Sequence, residues 1–189
     1  MQIVRVVTVI VLIFASFGYA AYELRTNGGD IVIQASDFFQ KAALPYRILQ
    51  LSLQEPDAEL LIPFPGLRKS DIDDTWGEAR AEGRSHEGTD IFQPRKTPIF
   101  SATEGYVLRV GQNDLGGNIV FVVGKGGVRY YYAHLDSFAK GIEVGDYVTT
   151  DTVLGFVGNT GNAADTPPHL HFGMYKNGAQ NPYALLVER

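Results

Sequence analysis

Residues 117–135 read GNIVFVVGKGGVRYYYAHL. Two apolar runs, 117–123 and 128–135, are separated by Gly124, Gly126 and Gly127. Val, Ile, Phe and Tyr suit extended chain, and a glycine cluster suits a tight reversal, so this stretch is expected to form a β-hairpin. The pattern repeats on both sides. TDIF (89–92), TPIFSA (97–102) and GYVLRVG (105–111) precede it; DTVLGFVG (151–158) and HLHFGMY (169–175) follow. Asn113-Asp114, Gly116-Gly117 and Gly145-Asp146 mark turns between the runs. No segment with the helical period interrupts them. The expected fold class is therefore all-β, in a domain covering residues 59–189.

Upstream of that domain the character changes. ELLIPFPG (59–66) reads as a strand and a proline turn, followed by a polar stretch to Gly88 that holds the single tryptophan, Trp76. Residues 22–58 mix polar and apolar side chains. Ser36–Ala43 is expected to form a short helix with Ser36 as its N-cap, and Pro45 and Pro56 punctuate a linker or docking segment. Residues 6–21 read VVTVIVLIFASFGYAA, behind Arg5. This uncharged run is expected to be a hydrophobic helix serving as signal or anchor. It lies between a signal-peptide core and a full span. Gly18-Tyr19-Ala20 suits signal cleavage; without cleavage, residues 3–24 are expected to associate with the membrane. Either way the rest of the chain is exported, to the periplasm or cell envelope.

Composition narrows the function. A net charge of −5 with no basic patch argues against nucleic acid as a partner. The absence of cysteine excludes a disulfide framework, a thiolate metal site and a cysteine nucleophile. A metal site must then come from His, Asp and Glu, and there are four histidines. Nothing in the sequence speaks to oligomeric state.

His169 and His171 flank Leu170, so in a strand they share one face while Leu170 points to the other. His86 and Asp90 are separated by Gly88, which lets the chain bring both side chains to one point. His134 follows three consecutive tyrosines. Singly, each histidine reads as an ordinary surface or hydrogen-bonded residue. Their order along the chain is more specific: His-x-x-x-Asp, then Ala-His-Leu, then His-Leu-His-Phe.

That order, carried by HEGTD (86–90), YYAHL (131–135), VGDYVTTDTVLGFVGNTG (144–161), HLHFGMY (169–175) and NP (181–182), resembles the lysostaphin-type (LytM-domain) zinc metallopeptidases. The resemblance covers residues 59–186. It implies two facing antiparallel sheets, described as a duplicated hybrid motif, one Zn2+ and a groove for an extended peptide. It also implies hydrolysis of peptide bonds in peptidoglycan. Residue by residue, it implies His86, Asp90 and His171 as metal ligands and His134 and His169 as catalytic histidines. His169 is expected to be the base and His134 the stabiliser of developing charge. Asn118 and Tyr132 are expected in the substrate groove, Tyr132 because strand alternation puts it on the same face as His134. Thr166-Pro167-Pro168 departs from the family's usual Gly-Pro, which bears on the shape of that groove wall.

Other features carry less. Glu87 is expected to be a solvated carboxylate, since His-Glu-x-x-His is absent, and Asn159 and Thr160 are expected to serve turn chemistry. A self-inhibiting segment would need a fourth ligand, for which Asn27, Asp30 and Asp37 are candidates. Two alternatives remain: a non-catalytic relative that binds wall or activates another hydrolase, and a carrier hairpin at 141–161. The carrier needs a lysine at its tip, and none lies between Lys140 and Lys176.

Overall fold

The computed structural model describes residues 10–11, 22–26, 29–31, 35–80 and 83–189, with side chains over 43–80 and 83–189. The chain divides into two compact units between Arg47 and Ile48. In the first, β1 (Ile10–Val11), β2 (Tyr22–Thr26) and β3 (Gly29–Ile31) form an antiparallel sheet. Apart from Ile10–Val11, the expected hydrophobic helix at 6–21 falls outside the described residues. Among the described residues no helix is long and apolar enough to cross a membrane.

Helix α1 (Ala35–Ser52) is longer than the expected 36–43 and runs through Pro45. A proline removes one intrahelical hydrogen bond. The following turns have compensating interactions: Leu51 is buried, and the Ser52 hydroxyl donates to the Ile48 carbonyl at 2.7 Å.

The second unit is the expected β domain. Its strands are β4 (Leu60–Leu61), β5 (Thr89–Phe92), β6 (Pro98–Phe100), β7 (Gly105–Asn113), β8 (Gly117–Val123), β9 (Arg129–Phe138), β10 (Tyr147–Val148), β11 (Val153–Val157), β12 (His169–Tyr175), β13 (Ala179–Gln180) and β14 (Leu186–Val187). The β8–β9 hairpin forms as read, with β7 antiparallel on its outer side. Outside the nine-stranded sheet, β14 pairs parallel with β4.

The strands of the expected sheets are hydrogen-bonded to one another through β9. β9 joins the strands into one nine-stranded ladder. Its first half lies between β8 and β12, and its end pairs with β11. One long strand thus belongs to both parts of the sheet.

Alternation along β8, β9 and β12 separates two faces. Val120, Val122, Tyr130, Tyr132, Leu170 and Phe172 enter the main core. Ile119, Tyr131 and Ala133 form a second, smaller cluster, with Phe121 and Tyr175 packed against it. This second face becomes the floor of a groove. Burial of large apolar side chains on the first face, at about 1.5–3 kcal/mol each, holds the strands in register.

Candidate metal centre

Antiparallel β5 and β12 place Asp90 directly opposite His171 and Phe92 opposite His169. Directly opposed residues project to the same side of a sheet, so this register delivers the carboxylate to the imidazole. His171 Nδ1 lies 3.1 Å from Asp90 Oδ1. His86 arrives from the irregular chain before β5, with its Nε2 3.1 Å from the same oxygen and 2.9 Å from His171 Nδ1. These three side chains form a group able to hold a metal ion.

Gly88 works differently from the expectation. Its backbone needs no left-handed conformation; what matters is the missing side chain. A Cβ there would sit 2.6 Å from His171 Cε1 and 2.8 Å from Phe172 O. The His171 ring fills the space that any other residue would take.

Thr75, which carries no signal in the sequence, sets both members of the first pair. Its carbonyl accepts from His86 Nδ1 at 2.7 Å, and its hydroxyl accepts the Asp90 amide at 3.0 Å. Because a carbonyl can only accept, the hydrogen of neutral His86 sits on Nδ1 and Nε2 is bare. The same logic fixes the other two rings. His134 Nδ1 donates to Thr160 O at 2.9 Å, and His169 Nδ1 donates to Pro167 O at 2.9 Å. The Thr166-Pro167-Pro168 turn therefore supplies the carbonyl that orients His169.

His134 has φ of 64° inside β9 and donates its amide to Gly116 O at 2.7 Å. The β8–β9 register shifts beside it. This left-handed residue breaks the strand's alternation and turns the imidazole to the groove side. Its ring centroid lies 5.0 Å from His169 and 5.8 Å from His171.

The same break corrects the placement of Tyr132. It does not share a face with His134 but points into the core, fully buried, where its hydroxyl accepts the Ala102 amide at 2.9 Å. The groove is lined instead by its neighbour Tyr131, stacked on Phe121 with ring centroids 4.5 Å apart, and by Tyr175. Asn118 also lies outside the groove lining. Its carboxamide donates to Leu135 O at 3.0 Å and Asp136 O at 3.1 Å, fastening β8 to β9. Thr160 exceeds its expected turn role: it orients His134, accepts the Asn118 amide and donates to Leu135 O. Glu87 is exposed, as expected. Side chains of Asn27, Asp30 and Asp37 lie outside the described residues.

Electrostatics favour a compact charged centre. Burial alone would raise the Asp90 pKa, but the adjoining His171 and His86 imidazoles outweigh it and hold the carboxyl well below its usual range. Burial pushes His171 down, and burial with the neighbouring His171 and His169 takes His134 to about 4. Both are neutral imidazoles at neutral pH. The groove around them has a volume of about 910 Å³, and Arg80, Glu87, Leu115 and Thr166 are among its lining residues.

The donors fit zinc. Tetrahedral zinc with bonds of about 2.0–2.2 Å needs ligand atoms about 3.3–3.6 Å apart, within a few tenths of an ångström of the edges observed. His86 Nε2 carries no hydrogen and Asp90 is ionised, so lone pairs converge there with at most one proton, that of His171 Nδ1, to share.

Residues 84–182 match the model of "Peptidase family M23". The chain is 38% identical over 134 residues to an L-Ala–D-Glu endopeptidase of Bacillus subtilis, covering 67% of this chain and 41% of that protein. It is 36% identical over 111 residues to the glycyl-glycine endopeptidase ALE-1 of Staphylococcus capitis, covering 55% and 30%. The chain thus spans less than half the length of these curated relatives. Among solved structures, it is similar to the catalytic domain of the antimicrobial peptidase lysostaphin from Staphylococcus simulans. That similarity has a TM-score of 0.54 and 29% identity, covering 61% of this chain and 92% of that one. The histidine and aspartate pattern, the antiparallel fold and the sequence match agree: the chain belongs to peptidase family M23.

Proposed function

We propose that this chain is a zinc-dependent metalloendopeptidase that hydrolyses peptide bonds in the stem peptides or cross-links of peptidoglycan. One observation carries the proposal: His86 Nε2, Asp90 Oδ1 and His171 Nδ1 converge within 3.1 Å of one another at the floor of an open groove. In this reading those three side chains hold the metal. A bound zinc supplies Lewis acidity for the scissile carbonyl and a water acidified to a pKa near ~7.

His169 and His134 do the proton work. Each has its Nδ1 hydrogen tied to a backbone carbonyl and presents a bare Nε2. His169 Nε2 lies 3.9 Å from Asp90 Oδ1, so it faces the metal-binding atoms within reach of a water held there. That favours His169 as the base. His134, held neutral by burial, accepts a hydrogen bond and orients the attacking water or the substrate amide; it stabilises an oxyanion only after gaining a proton on Nε2.

The apolar N-terminal segment supports export, as signal or anchor, which would bring the domain to its polymer. The similarity to an L-Ala–D-Glu endopeptidase makes that bond the first to assay, and glycyl-glycine bridges the second. The test is digestion of purified sacculi by zinc-loaded protein, with released fragments identified by mass spectrometry beside a His171→Ala control. New peptide ends that vanish in the control and after chelation are expected. A folded, zinc-bound protein that releases nothing from several wall chemotypes would overturn the proposal in favour of a non-catalytic wall-binding or activating role.

A further inference from the structure

Arg80 sits on a short hairpin whose arms meet at an Ala79–Ser85 bridge and at an Arg80 amide to Arg84 carbonyl bond of 2.8 Å. The returning arm ends in His86. From the opposite arm the Arg80 guanidinium reaches back to the site, where its Nη2 lies 2.6 Å from Asp90 Oδ2. Asp90 Oδ1 faces His86 and His171, each 3.1 Å away. The two oxygens of one buried carboxylate thus have separate partners. Glu78 stands farther from Arg80, at 3.7 Å, and the buried Arg80 Nε has no hydrogen-bond partner among the described residues. The guanidinium accepts that unsatisfied atom and keeps its short contact on Asp90.

We propose that Arg80 is a positioning residue that withholds Oδ2 of Asp90 from the metal, so that Asp90 binds through Oδ1 alone. This rests on the assignment of His86, Asp90 and His171 as ligands. A carboxylate can chelate through both oxygens, which would occupy a further coordination place. A catalytic zinc instead keeps three protein ligands and one open position. A charge-assisted hydrogen bond on Oδ2 enforces that outcome. It also draws electron density from the ligating oxygen, which leaves the metal more acidic. Arginine suits the task because it stays charged and its planar fork holds direction; lysine is a mobile point charge.

The test replaces Arg80 with Met and, separately, with Lys in the full chain, and loads each protein with Co2+ or Zn2+. Cobalt absorption in the visible reports coordination number independently of turnover. Wild type is expected to show the intense bands of a four-coordinate site. Arg80→Met is expected to lose that intensity as Asp90 chelates, and chelator competition should show zinc bound more tightly, because a second oxygen coordinates and a neighbouring positive charge is gone. Arg80→Lys is expected to fall between them, and it decides the matter if Arg80→Met does not fold. Cobalt spectra and zinc affinities identical in all three proteins would overturn the proposal, as they would if Arg80 paired with Asp90 only in the metal-free protein. Failure of the ligand assignment is distinguishable: His171→Ala would then bind cobalt like wild type.

Discussion

Strands β9 and β12 lie side by side, and together they bring three of the four histidines to the groove. They do so by different means. β12 keeps the period of two, so His169 and His171 face the groove while Leu170 and Phe172 enter the core. β9 keeps that period only to Ala133. At His134 the chain turns left-handed, and Leu135 returns to the core. A regular strand presents two ligating or catalytic groups every second residue. A bulged strand presents a group where the pattern forbids one, and holds it as the His134 amide donates to Gly116 O and its ring Nδ1 to Thr160 O.

The largest expected effect separates the histidines of these strands by role. His169→Ala on β12 and His134→Ala on β9 should each lower turnover on sacculi by about 10²–10⁴-fold while retaining zinc. If either variant kept full activity, the proton work would rest on one strand alone.

Gly88→Ala comes next, because it disturbs β12 without altering a ligand. The added carbon would meet the His171 ring at 2.6 Å. Zinc affinity should fall about 10–100-fold, measured by chelator competition. Unchanged affinity would mean that the ring has room to move.

A third pair of variants probes the break in β9 itself. Tyr132→Phe leaves the buried Ala102 amide without its acceptor and should cost about 1–3 kcal/mol in denaturant unfolding, with kcat/KM unchanged. Tyr131→Phe should leave stability nearly intact and alter KM. Interchanged results would restore the unbroken alternation that puts Tyr132 in the groove. The smallest effect is expected at Asn159, whose amide donates to Ala164 O and Thr166 O. Asn159→Ala should cost about 1–2 kcal/mol of stability, read by the same unfolding measurement.

These contrasts show which parts of the molecule are legible in its sequence. The hairpin at 117–135 and the paired faces of β12 follow from apolar alternation and glycine turns, which are local signals. Asp90 also stands where the spacing around Gly88 suggests, though the reason for glycine is the neighbouring ring, a contact between residues far apart in the chain. Thr75 and Arg80 are not legible, since they lie in a polar stretch without a period and matter only through bonds that folding creates. The bulge at His134 is hidden because neither glycine nor asparagine marks the left-handed residue. Helix α1 is under-read because Pro45 resembles a stop, whereas burial of Leu51 carries the helix past it.

The central claim, that two histidines and an aspartate hold the metal while the other two histidines do not, has a direct measurement. It is zinc per chain, by elemental mass spectrometry after dialysis, for wild type and five alanine variants. One zinc is expected in wild type, His134→Ala and His169→Ala, and none in His86→Ala, Asp90→Ala and His171→Ala. Zinc retained by folded His171→Ala, or lost from folded His134→Ala or His169→Ala, would contradict the account.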